Sequence, residues 1–327
     1  MYGYDIFHEN IMENLINNIR NNSARHAYIF EGEKGVGTYA AARLFAAAMV
    51  CEKTENAPCG ACPSCIMAAA ETHPDIRIIS PPDGKKNISV DMVRDIVTDA
   101  YTKPYESRRK VYIIAYGDDM NEQAQNAFLK VLEEPPEYAA FVILAENHET
   151  LLQTVRSRCI QIRFGAVAAD KIKIWLQKRY PELGDRADFY AKYAGGVAGR
   201  AERIINDENF IPLRKAAFEK SELLLSPSKL DAYAAAEFLE ENKDNADLIL
   251  ELWQSFVRDM MLLQNGAKDC AMNSDFIDRL IAMSNRYTEK RIVRAADEIM
   301  TAQKMRRRYV SLHTLALRMA FMIKRKG

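Results

Sequence analysis

The chain has 327 residues, 48% of them hydrophobic, which is enough for two or three domains with sizeable cores. Lys plus Arg and Asp plus Glu each number 45, so no global charge draws the chain to nucleic acid or membrane, and any such contact has to be a local patch. The start is broken by Asp5, His8 and Glu9 and lacks a secretory pattern, and the most apolar run, residues 40–50, is short for a bilayer and contains Arg43; a soluble cytoplasmic protein is expected.

The first element is an apolar strand over residues 27–30, followed by the loop Gly32-Glu33-Lys34-Gly35-Val36-Gly37-Thr38-Tyr39 and an Ala/Leu-rich helix over 39–50. Strand, glycine loop and helix form the setting of a phosphate-binding P-loop, and Gly32 and Gly37 have the spacing of G-x-x-x-x-G-K-[ST]. The lysine position holds Thr38 and the Ser/Thr position holds Tyr39. Thr38 carries no charge for the β- and γ-phosphates, and a tyrosine ring is a poor magnesium-binding hydroxyl. Lys34 is either a displaced phosphate lysine or an ordinary basic loop residue.

Directly after the helix come Cys51, Cys59, Cys62 and Cys65, with Pro58, Gly60 and Pro63 favouring tight turns among them. In a reducing compartment, four cysteines this close are expected to be metal ligands rather than disulfides, the alternatives being a redox pair or free thiols. Four thiolates close a tetrahedral zinc site with no open position, which makes it structural. Such a site contributes an apparent ~10–16 kcal/mol in small peptides, enough to fold an insert without its own core. Cys159 and Cys270 read as small apolar residues.

A strand over 75–79 follows, then a helix over about 90–101 capped by Ser89, and a buried strand over 111–114. In P-loop ATPases this last strand ends in acidic residues that organise Mg²⁺ and water. Here the two positions past it are Ala115 and Tyr116; Asp118 and Asp119 come two residues later, in a loop or helix cap or, alternatively, as metal ligands. With the lysine, the hydroxyl and the acidic pair all missing, hydrolysis is expected to be absent. An amphipathic helix over 121–133 stops at Pro135-Pro136, and strands follow over 141–144 and 160–164. This alternation predicts a parallel sheet with helices on both faces. Between the last two strands lies Thr154-Val155-Arg156-Ser157-Arg158-Cys159, in which Arg158 is either a surface arginine or one able to enter a neighbour's nucleotide site.

Beyond Phe164 the strand signal ends. A small helical unit is expected to about residue 207, including a helix over 170–179 and the glycine-rich stretch 195–200. A larger all-helical unit follows, with helices over 212–225, 229–241, 245–264, 276–284, 288–307 and 311–326. Trp253, Phe256, Met260, Leu315, Met319 and Met322 lie on its apolar faces, available to a core and an oligomer interface. Basic clusters stand at residues 306–308 and 324–326.

The residues carry a resemblance. Arg25-His26-Ala27-Tyr28-Ile29-Phe30-Glu31-Gly32, the glycine loop, the four-cysteine insert, His73-Pro74-Asp75, Lys110-Val111-Tyr112-Ile113-Ile114, Asn126-Ala127-Phe128-Leu129-Lys130-Val131-Leu132-Glu133-Glu134-Pro135-Pro136 and Ser157-Arg158-Cys159 occur in one order over about residues 20–165. In these pieces the chain resembles the delta-prime subunit family of the bacterial DNA polymerase III clamp loader, within the AAA+ superfamily. The helical remainder is similar to the family's lid and collar in length and class only.

The resemblance implies an α/β P-loop AAA+ domain over 1–166 with a zinc-bearing insert at 51–65, a helical lid over 167–207 and an all-α collar over 208–327. Clamp loaders of this kind are pentameric spirals that open a sliding clamp and close it around primed DNA. The resemblance implies a rigid, non-hydrolysing stator that binds no ATP itself. It would work with the delta subunit and gamma/tau ATPase subunits and supply Arg158 in trans to a gamma/tau ATP. Gamma/tau subunits share the cysteine insert and Ser-Arg-Cys but keep lysine and threonine where this chain has Thr38 and Tyr39. The family's second sensor arginine falls near Arg200, but the local match is offset, and Arg200 is expected on the lid surface. Two other readings stand beside this one. One is a gamma/tau-like ATPase gripping phosphate through Lys34 and Asp118, and the other is a zinc-stabilised DNA-binding module.

Overall fold

Residues 7–82, 87–306 and 310–324 are described in a computed structural model of the chain. They fall into two units, Met1–Ile172 with Ala194–Arg200, and Lys173–Tyr193 with Ala201–Gly327.

The first unit is built from α1 (Glu9–Arg20), β1 (Ala27–Glu31), α2 (Thr38–Val50), α3 (Pro63–Ala69), β2 (Ile76–Ile79), α4 (Val90–Ala100), β3 (Lys110–Ile114), α5 (Glu122–Glu133), β4 (Ala139–Ala145), α6 (Gln153–Arg156) and β5 (Ile160–Arg163). The strands form a five-stranded sheet in the order β2-β3-β4-β1-β5, every pairing parallel. β1, β3 and β4 are buried along their whole length, as central strands covered on both faces must be. β2 and β5, at the edges, are partly exposed.

Alternation along β1 sends its side chains to opposite layers. Ile29 joins Val93 and Ile96 of α4, Phe128 and Leu132 of α5, and Tyr112 and Phe141 in one buried cluster. Tyr28 and Phe30 turn instead to Phe45 of α2, at ring distances of 4.9 and 5.9 Å. The expected helices on both faces are present. Ser89 accepts the Met92 N–H and starts α4 as expected, and Asn121 accepts the Ala124 N–H and starts α5. Under β3, Asp99 accepts from Tyr112 at 2.7 Å and pairs with Lys110 and Arg77, each at 3.0 Å.

The second unit is helical. α7 (Ala169–Arg179) and α9 (Ala198–Ile205) each begin in the first unit and end in the second; α8 is Arg186–Tyr193. α10 (Phe210–Leu225), α11 (Lys229–Glu241), α12 (Ala246–Gln264), α13 (Ile277–Arg286), α14 (Glu289–Arg306) and α15 (Leu312–Lys324) complete it. Trp253, Phe256, Met260, Leu315 and Met319 are buried in its core, and Met322 is half-buried. Trp253 Nε1 donates to the Ala217 carbonyl at 2.8 Å. Arg214 is buried between the rings of Phe189 and Phe276 and forks onto Asp275. Arg307, Arg308, Arg325 and Lys326 of the basic clusters lie outside the described residues. The other members are engaged within the unit: Arg306 pairs with Asp247 at 3.5 Å, and Lys324 donates to the Leu223 and Ser228 carbonyls.

Candidate functional site

The glycine loop sits where a P-loop belongs, between the C-terminal end of the central strand β1 and the start of α2. Gly35 and Gly37 have φ of 94° and 115°, left-handed values that favour glycine. At Gly32 a Cβ would lie 2.7 Å from Val36 and 2.8 Å from the Phe164 carbonyl. The backbone form of such a loop is therefore kept, and the positions of its phosphate lysine and hydroxyl hold Thr38 and Tyr39. Thr38 is buried in the first turn of α2, and Tyr39 is exposed beside it.

Other residues of the same unit close on the loop. The Gly199 N–H, at the start of α9, donates to the Gly35 carbonyl at 2.9 Å. A Cβ on Gly199 would come within 2.8 Å of the Gly35 Cα, so only two glycines can meet this closely. Arg200 Nη2 pairs with Glu33 at 2.7 Å, and His8 Nε2 lies 3.2 Å from the Val36 carbonyl. Arg200 was expected on the lid surface; its side chain is partly exposed but is tied to the loop by an anion, Glu33, 167 residues away.

Ala115 and Tyr116 follow β3 directly. Ala115 donates its N–H to the Ile79 carbonyl, and the Tyr116 ring lies under Lys34 Nζ at 5.2 Å from the centroid. That cation–π contact turns Lys34 toward an aromatic face. Asp118, in the 3₁₀ turn Gly117–Asp119, caps the loop after β4. It accepts the N–H groups of Glu146 at 2.6 Å and Asn147 at 3.2 Å and the Thr150 hydroxyl at 2.9 Å.

Arg158 stands between α6 and the edge strand β5. Its Nη2 pairs with Glu133 Oε1 at 2.6 Å, and its Nη1 donates to the Thr154 carbonyl at 2.8 Å and reaches Ser157 Oγ at 3.5 Å. Glu133, the last residue of α5, was not singled out in the sequence. Burial pushes the neighbouring Cys159 thiol up to about 12, so it is a packing group.

Cys51, Cys59, Cys62 and Cys65 converge, with all four Sγ atoms within 4.8 Å of one another. Cys51 ends α2, and Cys62 caps α3 with Pro63 as its first residue, so two helix ends fix the cluster. Backbone N–H groups of Cys59, Cys62 and Cys65 each donate to a cysteine sulfur at 3.4 Å. N–H groups of Ala61 and Cys62 bring the Cys59 thiol down to about 6, while burial raises Cys51 and Cys65. Four convergent sulfurs fed by backbone donors fit a tetrahedral metal ion.

Two family models match the chain: "DNA polymerase III, delta subunit" over residues 7–168 and "DNA polymerase III, delta subunit, C terminal" over residues 209–311. The chain is 28% identical to DNA polymerase III subunit delta' of Bacillus subtilis, over 96% of its own length and 95% of the relative's. It is 34% identical to subunit delta' of Pseudomonas aeruginosa, over 55% of each chain. It is 36% identical to subunit tau/gamma of Haemophilus influenzae over 50% of this chain, which spans 24% of that longer protein. No helix among the described residues is long and apolar enough to cross a membrane. Covered by two family models along most of its length and by a delta' relative from end to end, the chain belongs to the DNA polymerase III delta-prime subunit family of clamp-loader proteins.

Proposed function

We propose that this chain is a non-hydrolysing stator of the DNA polymerase III clamp loader, binding no ATP itself and lending Arg158 to the ATP of a neighbouring gamma/tau subunit. The observation that carries this reading is the state of the glycine loop. Its phosphate lysine and magnesium hydroxyl are replaced by Thr38 and Tyr39, and its Glu33 and Gly35 already hold Arg200 and Gly199. An ATPase using Lys34 and Asp118 would have to free both groups, one from Tyr116 and the other from three donors.

Arg158 suits the trans role because a guanidinium stays charged and forks onto phosphate oxygens. At a neighbour's γ-phosphate it would stabilise charge spreading over the transferring group, an effect worth roughly 10³–10⁵ in rate. Cys51, Cys59, Cys62 and Cys65 would hold a structural Zn²⁺, which supplies folding energy to the insert and no open coordination site.

In this reading residues 1–166 form the AAA+ domain, 167–207 the lid and 208–327 the collar. The partners are the gamma/tau and delta subunits, with sliding clamp and primer-template DNA engaged through the complex in the cytoplasm. Arg158→Ala in a reconstituted loader tests the trans role. Assembly should persist while DNA-stimulated ATP turnover falls at least tenfold; unchanged turnover would exclude it.

A further inference from the structure

We infer that Glu133 is a positioning residue that withholds Arg158 from phosphate until a neighbouring subunit competes for it. This rests on the trans role of Arg158 proposed above. Both terminal nitrogens that a guanidinium would fork onto phosphate are taken within the chain, Nη2 by Glu133 and Nη1 by Thr154 and Ser157. The arginine is folded back along its own unit and has to exchange Glu133 for an external anion before it acts in trans.

Glu133 also breaks a local rule. It is the last residue of α5, where the peptide dipoles leave partial negative charge and a cation is favoured. Glu134 follows it at the helix cap, adding a second acid to the same end. A carboxylate placed against the dipole is accounted for by a partner outside its own helix, and that partner is Arg158, 25 residues on.

The pair is weak enough to exchange. Its side chains are 35% and 50% exposed, so solvent screens the attraction. A γ-phosphate carries more charge than one carboxylate and accepts both terminal nitrogens, so it displaces Glu133 when the neighbouring site is loaded. Part of the neighbour's apparent affinity for ATP is spent on that displacement.

The test uses the loader reconstituted with its ATPase subunits, clamp and primed DNA, with native mass measurement confirming equal assembly. Glu133→Gln should lower the ATP concentration for half-maximal turnover by a factor of about two to five at low salt, with kcat unchanged. The advantage should shrink as salt rises, because the exposed pair is already screened in the parent protein. In an Arg158→Ala background, Glu133→Gln should change nothing. A raised half-saturation or a reduced kcat would mean that Glu133 holds Arg158 ready for the phosphate rather than away from it, and the inference fails; so does an unchanged half-saturation at every salt. If Arg158→Ala itself leaves turnover intact, the trans role fails and the inference falls with it, an outcome separate from any result at Glu133.

Discussion

Gly199 and Gly35 meet backbone to backbone, the N–H of Gly199 donating to the Gly35 carbonyl at 2.9 Å, with no room for a side chain on Gly199. A loop of the kind that wraps phosphate elsewhere here seats the beginning of a helix. Glu33 supplies the anion that Arg200 meets there.

Gly199→Ala tests that contact. Alanine gains up to about 1 kcal/mol of helix propensity over glycine. The new Cβ would stand 2.8 Å from the Gly35 Cα, a backbone atom that no rotamer change can move aside. Overpacking of this kind costs about 1–3 kcal/mol, so the net effect is destabilising. Amide hydrogen exchange should quicken over residues 33–38 and 197–200 before the sheet is affected. Arg200→Ala, which removes a partly exposed pair, should cost no more than about 1 kcal/mol. Equal protection in Gly199→Ala and the parent chain would show that the loop does not depend on this seat.

Restoring two P-loop residues should not restore the enzyme. Thr38→Lys with Tyr39→Thr returns the phosphate lysine and the magnesium hydroxyl, but Ala115 and Tyr116 still offer no carboxylate. Asp118 is committed to Glu146, Asn147 and Thr150. Phosphate release by the double variant should stay at background. Steady hydrolysis would show that another acid organises Mg²⁺ here.

The cysteine cluster predicts about one zinc per chain by elemental analysis. Cys62→Ser should lose it, because Cys62 is both a ligand and the cap of α3. Chelation or acid should have the same effect, since protons compete with the metal for thiolates. Loss of zinc should speed proteolysis within residues 51–69 and leave the helical second unit intact. Full zinc content in Cys62→Ser would remove that cysteine from the ligand set.

Acid should find Asp99. Burial raises its carboxyl, but Tyr112, Arg77 and Lys110 outweigh that and hold it at about 2, below the ordinary 3.8. A carboxyl depressed in the folded state stabilises the fold above its unfolded pKa and loses that contribution as pH falls from about 4 to about 2. The shift corresponds to about 2 kcal/mol. Asp99→Asn should therefore lower stability at pH 7 and flatten the acid limb of the unfolding profile. An unaltered limb would show that Asp99 is not among the groups driving acid unfolding.

Much of this molecule is legible in one dimension because its signals are local. The strand–glycine loop–helix order, the Ser89 cap, the stop at Pro135 and the cysteine spacing each lie within a few residues and fold as read. α1 is harder to see: Met12, Leu15 and Ile19 recur on one helical face, but His8 stands at its N-cap without a capping side-chain bond, so no local start signal marks it. The ion pairs were out of reach for another reason. Glu33 and Arg200 are 167 residues apart, and Glu133 ends α5 while Arg158 lies 25 residues on, between α6 and β5, so no periodicity joins them. Arg200 read as lid surface because its partner is supplied by a loop far back along the chain.

A chain that has given up its own nucleotide while acting on a neighbour's should not hold Mg-ATP alone. Equilibrium binding of Mg-ATP to the purified chain tests this most directly. No saturable binding is expected at micromolar to millimolar ATP, and no phosphate release. Micromolar affinity with turnover by the chain alone would contradict it.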